Sequence, residues 1–215
     1  ARIRFGGAYP AGCGERLWPV AYADPKSYAA RAVEGMWKDL GGRLTGQVRE
    51  GRVPAGLKPA FEMPSLALGE LVRDINKYSN NVMARQLFLK VGAGETASAD
   101  QTIRSWLAKK GLDFPELVLD NGSGLSRRER ISADHLAQLL AVTWASPTMP
   151  ELMASLPIVA LDGTAKKRYN GVSYAGQAHL KTGSLEGVRG IAGYLLDQRG
   201  QRHIVVFIVN HPNAA

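Results

Sequence analysis

Apolar residues recur at the helical period in several stretches of the chain. Ala29, Ala32, Val33, Met36 and Leu40 fall on one face; Asp24 can cap that segment, Pro25 suits its first turn, and Gly41-Gly42 stops it. From Ser65 the pattern returns, with Leu66, Leu68, Leu71, Val72 and Ile75 on one stripe. The polar run Asn76-Lys77-Tyr78-Ser79-Asn80-Asn81 predicts a break, after which a helix over Val82 to Leu89 ends at Gly92. Another is predicted from Ala99 to Lys110, stopped by Gly111, and Ser132 caps a further one over Leu136 to Trp144.

Elsewhere the period is two. Thr45 to Val53 alternates enough for a strand, and Leu117-Val118-Leu119 reads as a short strand running into the loop Asp120-Asn121-Gly122-Ser123-Gly124. Gln177 to Thr182, Gly190 to Leu196 and His203 to Asn210 follow as strands, the last two joined by a hairpin loop at Asp197 to Gln201. Glycines and prolines around Ile3, Phe5, Trp18 and Val20 suggest short strands and turns in residues 1–22. Gly51 to Pro59 is the best linker candidate, with two glycines and two prolines. Helices followed by an antiparallel ribbon point to an α+β fold rather than alternating βαβ units. There is no internal repeat.

Composition narrows the class. Of the 215 residues 45% are apolar and 21% charged, enough burial to offset chain ordering and so to exclude disorder as the main state. The longest aliphatic-aromatic run, Ile204 to Val209, is far short of the ~20 residues that a membrane span needs. The net charge of +8 favours acidic partners. Basic residues are scattered, with short clusters only at Arg127-Arg128 and Lys166-Lys167-Arg168, and nothing resembles a nucleic-acid platform. Cys13 is the single cysteine, so neither an internal disulfide nor a Cys-x-x-Cys site is possible. His135, His179, His203 and His211 show no ligand spacing, and no metal is implied. Gly92 to Ala97 misses the dinucleotide glycine pattern, and no Gly-x-Ser-x-Gly occurs. The chain opens Ala1-Arg2-Ile3-Arg4 and reads like a mature or truncated piece of something longer.

Two triplets remain. Lys181-Thr182-Gly183 ends a predicted strand, and such a triplet arises by chance in roughly one chain in twenty of this size. Ser79-Asn80-Asn81, of the form Ser-x-Asn, sits in the predicted break. It is uninformative alone, but in this order the two match how penicillin-recognising serine enzymes build a site.

On these triplets the chain resembles the class C low-molecular-weight penicillin-binding proteins, the D-alanyl-D-alanine carboxypeptidase/endopeptidase family. Ile75 to Leu87, Asp120 to Arg127, Asp162-Gly163-Thr164 and Lys181 to Val188 extend the likeness over essentially the whole chain, most specifically from about residue 60 to 210. One motif is missing: no serine here has a lysine three positions later, whereas the family's nucleophile is the serine of a Ser-x-x-Lys.

The resemblance implies a penicillin-binding-protein/β-lactamase-like α+β fold, an antiparallel sheet flanked by helices, of which this is the C-terminal part. Residues 1–58 would be the end of an accessory insertion and 59–215 the larger part of the catalytic domain. The implied enzyme is a periplasmic serine-type D-Ala-D-Ala carboxypeptidase, with endopeptidase action left open. It would act on peptidoglycan stem peptides, bind β-lactams and need no cofactor or metal. Its nucleophile would come from the N-terminal part of the same enzyme. By resemblance Ser79 joins the proton relay, Asn81 meets the substrate amide and Lys181 supplies a fixed cation. Thr182 offers a hydroxyl to the terminal carboxylate, Gly183 leaves room for substrate, and the Ser184 N–H is an oxyanion donor.

Plainer readings stand beside these. Ser79 can be a helix cap, Asn81 a turn residue and Lys181 a solvated edge charge. Arg127 is a weaker candidate for a substrate carboxylate and reads at least as well as a surface arginine. Trp37, Trp106 and Trp144 read as core. A serine β-lactamase shares the motifs, and a peptidoglycan-binding module without a nucleophile is the non-enzymatic alternative.

Overall fold

The computed structural model describes residues 4, 6–18, 22–59, 61–92, 98–167 and 175–214. The chain divides into two units, Ala1–Met63 and Pro64–Ala215.

The described residues of the first unit hold one α-helix, α1 (Pro25–Asp39), with a 3-10 turn at Ala11–Cys13. Pro25 opens α1 as expected, but the Asp24 side chain makes no capping hydrogen bond. Gly42 N–H closes the end of the helix onto the Trp37 carbonyl at 2.8 Å. Thr45 to Val53 is not a strand: alternation needs a partner ladder, and the described residues of this unit offer none. Ile3, Phe5 and Val20 lie outside the described residues, as does Arg168 of the second basic cluster.

The second unit contains α2 (Leu68–Tyr78), α3 (Asn81–Val91), α4 (Ala99–Lys109), α5 (Ala133–Trp144) and α6 (Met149–Ser155). An antiparallel sheet follows, β1 (Ala178–Leu185), β2 (Val188–Leu196) and β3 (Arg202–Asn210), in that spatial order. The expected α+β architecture is present. The Ser132 start signal acts as read, its hydroxyl accepting from His135 N–H, and the structure adds a second cap, the Ser98 hydroxyl accepting from Gln101 N–H. The strand expected at Leu117-Val118-Leu119 shrinks to a single bridge, Val118 to Arg130, which closes the loop between them. Helix α6 had no counterpart in the sequence reading. It is seven residues long with a proline in its first turn, too short to show a period.

Register fixes the faces of the sheet. Ala192 pairs with Val206 and Tyr194 with Ile204, and this face packs under Leu140 of α5 and Leu152, Met153 and Leu156 of and after α6. Tyr194 is fully buried, so its hydroxyl must find a partner, and it donates to the Leu140 carbonyl at 2.8 Å. On the opposite face Ala178, Leu180 and Leu195 meet Val159 and Ala165. The tryptophans are not core: Trp37, Trp106 and Trp144 are 52%, 44% and 38% exposed. Lys110 and Arg202 lie over the rings of Trp106 and Trp144, so each indole covers apolar surface on one side and meets a cation and water on the other.

A carboxylate staples α5. Glu116 accepts from Ser132 N–H at 2.8 Å and from His135 Nδ1 at 2.6 Å, while His135 stacks on Phe114 at 4.6 Å. Hydrogen bonding from Ser132, ahead of His135, holds the Glu116 carboxyl at about 2 against an ordinary 4.5. The folded value is the lower one, so this stabilisation is fully present above 4.5 and fades as pH falls toward about 2. Glu116→Gln is expected to lower the melting temperature at neutral pH, with the gap to the parent closing through that acidic window. Melting curves across the range check it; a gap that stayed constant down to about pH 2 would remove the carboxylate from the account.

Candidate active site

Helix α2 ends in an uncommon way. Ser79 occupies its C-terminal cap in the left-handed region, φ 52° and ψ 49°, where glycine is usual and a side chain costs strain. The next residue, Asn80, caps α3 by accepting from Met83 N–H at 3.0 Å. The polar break therefore narrows to Ser79 and Asn80, and Asn81 already belongs to α3. Ser79 is thus the C-cap residue of α2, while the side-chain cap of α3 falls to Asn80. The Ser79 hydroxyl is left to meet Lys181.

Lys181 comes from β1, 102 residues along the chain, and its Nζ donates to Ser79 Oγ at 2.9 Å. A second bond runs to the Thr182 carbonyl at 2.7 Å. Burial holds this ammonium below the ordinary lysine range, which a solvated edge lysine would not show. Asn81 donates through Nδ2 to the Ser123 carbonyl at 2.6 Å, so the Gly122-Ser123-Gly124 loop orients the amide. Glu129 holds that loop in turn, accepting from Gly122 N–H at 3.1 Å. Ser79, Asn81 and Lys181 thus stand together around one cleft of about 630 Å³.

Thr182, Gly183 and Ser184 line the same cleft. Side chains alternate along a strand, so Gly183 lies on the Lys181 face. A Cβ built at Gly183 meets nothing within 4 Å, which leaves that face open. Backbone groups alternate too. Leu180 N–H points away from β2 and donates to the Pro157 carbonyl at 2.8 Å, so the N–H groups of Thr182 and Ser184 share that outward edge. The edge is shaped to take an added extended chain.

Arg127 lies at the surface, on the loop side of the cleft. Its guanidinium donates to the Glu186 carbonyl at 2.7 Å, tying the Gly-Ser-Gly loop to the β1–β2 turn. Sequence reasoning also missed Thr164, whose hydroxyl stands 3.4 Å from that of Thr182. The triplet Asp162-Gly163-Thr164 is visible in the sequence, but only folding brings it to β1. A second cavity, about 890 Å³ and mainly apolar, is lined by Val72, Trp106, Leu139 and Val142 and reaches Asn76 and Lys181. Among the described residues no group of three metal-ligating side chains occurs, and no helix is long and apolar enough to cross a membrane.

A hydroxyl, an amide and a half-buried ammonium beside an open strand edge suit acyl transfer. The ammonium can stabilise negative charge, the hydroxyl can pass a proton, and the edge can align an extended peptide.

Known proteins resemble this chain in sequence and in fold. The model of the D-Ala-D-Ala carboxypeptidase 3 (S13) family matches residues 1–215. The chain is 31% identical over 202 residues to a D-alanyl-D-alanine carboxypeptidase of an Actinomadura species, covering 87% of this chain and 37% of that protein. It is 28% identical over 198 residues to the D-alanyl-D-alanine carboxypeptidase DacB of Haemophilus influenzae, covering 88% and 41%. The crystal structure of penicillin binding protein 4 from Haemophilus influenzae superposes with a TM-score of 0.77 at 27% identity, over 91% of this chain and 45% of that one. The chain spans about two fifths of the length of these curated relatives, 37% and 41%.

Proposed function

The chain belongs to the D-Ala-D-Ala carboxypeptidase 3 (S13) family, and from that premise we propose that it supplies most of the active site of a serine-type D-Ala-D-Ala carboxypeptidase. The substrate is the stem peptide of peptidoglycan, β-lactams bind in its place, and the enzyme works in the periplasm where that polymer lies. The observation that carries the proposal is the 2.9 Å contact between Ser79 and Lys181, made across the cleft by the two halves of the site.

In the proposed cycle the stem peptide lies along the open edge of β1, and Thr182 offers its hydroxyl to the terminal carboxylate. A serine from a Ser-x-x-Lys segment, contributed by the N-terminal part of the enzyme, attacks the carbonyl of the penultimate D-Ala. Its proton leaves through the lysine of that segment and the Ser79 hydroxyl. The oxyanion faces the Ser184 N–H, a donor whose loss typically costs ~10²–10³-fold in rate. Lys181 offsets the negative charge that gathers there, and Asn81 orients the substrate amide. The C–N bond then breaks, the terminal D-Ala nitrogen takes the proton back, and D-Ala departs. Water hydrolyses the acyl-enzyme with the same groups in reverse. The nucleophile-bearing segment seats on the apolar cavity beside α2 and α5, because that cavity reaches Lys181. Residues 1–58 form the end of an accessory insertion.

The test is to express the chain with its upstream coding sequence, then measure D-Ala release from a stem pentapeptide and covalent labelling by penicillin. Neither activity in a folded protein carrying Ser-x-x-Lys would refute the proposal. Fast turnover of the penicillin, rather than a lasting label, would favour a β-lactamase instead.

Gly183 gives a sharper check. A Cβ there meets nothing within 4 Å in the folded chain, so melting is expected to change little. The methyl groups of a valine would stand where the substrate backbone must pass. Gly183→Val is therefore expected to depress kcat/KM for a D-Ala-D-Ala peptide strongly while leaving the protein folded; an unchanged value would move the groove elsewhere.

A further inference from the structure

Ser79 and Lys181 sit on different elements, and one hydrogen bond between flexible groups does not by itself set their spacing. The backbone does, and one segment touches both sides. Two consecutive side chains in the last turn of α2 reach into residues 155–162. Asn76 Nδ2 donates to the Oγ of Ser155, which is fully buried, at 2.7 Å. Lys77, itself buried, donates through Nζ to the Leu156 carbonyl at 2.7 Å and to Asp162 Oδ2 at 2.6 Å. The other Asp162 oxygen accepts from Ile158 N–H at 2.7 Å and closes the turn.

Gly163 then lies against the α2 backbone. Its φ is +54°, and a Cβ there would stand 2.5 Å from the Lys77 carbonyl oxygen, so both conformation and space require glycine. From its far side the same segment grips β1. Leu180 N–H donates to the Pro157 carbonyl at 2.8 Å and Val159 N–H to the Ala178 carbonyl at 2.9 Å. Thr164 meets Thr182 at 3.4 Å. These contacts bracket Lys181 along the strand, as Asn76 and Lys77 immediately precede Ser79 along the helix.

We propose that residues 155–164, locked by the Lys77–Asp162 ion pair, are the positioning element that sets the distance between Ser79 and Lys181. Asp162 and Lys77 line neither cavity and act through Ser79 and β1. A strained residue persists only where its surroundings over-determine it, and Ser79 is such a residue. Consequences for acylation rest on the acyl-transfer function proposed above; the geometric claim does not.

The two are separated by the choice of measurement. In the 215-residue chain with 13C-labelled lysines, the Lys181 side-chain resonance, assigned by its loss in Lys181→Ala, is followed through alkaline pH. Asp162→Asn should release Lys181 from its half-buried place and raise its titration toward the ordinary 10.5. Glu116→Gln, which loosens α5 elsewhere, should leave that titration unmoved. Should Asp162→Asn not fold, the Lys77→Met/Asp162→Asn double variant strands no buried charge and is read in the same way. A folded variant whose Lys181 titrates as in the parent overturns the proposal. In the nucleophile-bearing protein, the displaced pair should slow the acylation step by ~10²-fold with little change in the preceding binding step. A shifted Lys181 with normal acylation would uphold the positioning element and overturn the catalytic function instead.

Discussion

Lys181→Ala is expected to slow penicillin acylation of the nucleophile-bearing enzyme by ~10²–10³-fold, the usual loss on removing one preorganised stabiliser of transition-state charge. Melting should hardly move. The Lys181 ammonium is kept below its ordinary range by burial, so its charge is held in place at a cost in stability, and alanine removes that cost. Its two acceptors, Ser79 Oγ and the Thr182 carbonyl, line an open cleft and can turn to water. Rate and melting temperature must be measured on the same sample. A folded variant that acylates at a near-normal rate would sink the role given to Lys181.

The isolated 215-residue chain is expected to form no acyl-enzyme with penicillin. No serine in it is followed by lysine one helical turn on; after Ser79 that position holds Val82. Folding does bring a lysine to Ser79, but Lys181 donates to both the hydroxyl and a carbonyl. A group spending its protons in this way offers no base, and an unactivated serine is a poor nucleophile. One oxyanion donor, the N–H of the nucleophile itself, would also be absent. Fluorescent penicillin followed by denaturing electrophoresis reads the outcome directly. Stoichiometric label on the chain, at Ser79 above all, would overturn the assignment of that serine to the proton relay. Label that appears only after the N-terminal part is added, and sits on that part, is the result expected.

Legibility differed between fold and site for physical reasons. Helices α2 to α5 and the three strands were readable because their signals are local: a Ser132 hydroxyl three residues from its partner N–H, an apolar stripe, an alternation bounded by turn residues. Where a local signal needed a distant partner it misled, as at Thr45 to Val53, which found no ladder, and at Leu117 to Leu119, which kept one bridge. The tryptophans misled for a related reason. An apolar helix face does not state what covers it, and in the described residues these rings are in part uncovered.

By itself, then, the sequence determined helices α2 to α5 and the three strands, the two triplets on which the proposed chemistry rests, and the absence of a Ser-x-x-Lys serine. Through resemblance it also indicated the family. Tertiary structure alone decided that Ser79 and Lys181 meet at 2.9 Å, that Asn81 is turned by the Ser123 carbonyl, and that Arg127 is spent on the Glu186 carbonyl. It alone joined Lys77 to Asp162 across 85 residues. Spacing along a chain constrains contacts only within a turn or a hairpin. Bonds between residues tens of positions apart exist only once the helices and the sheet have packed and fixed which backbone lies beside which.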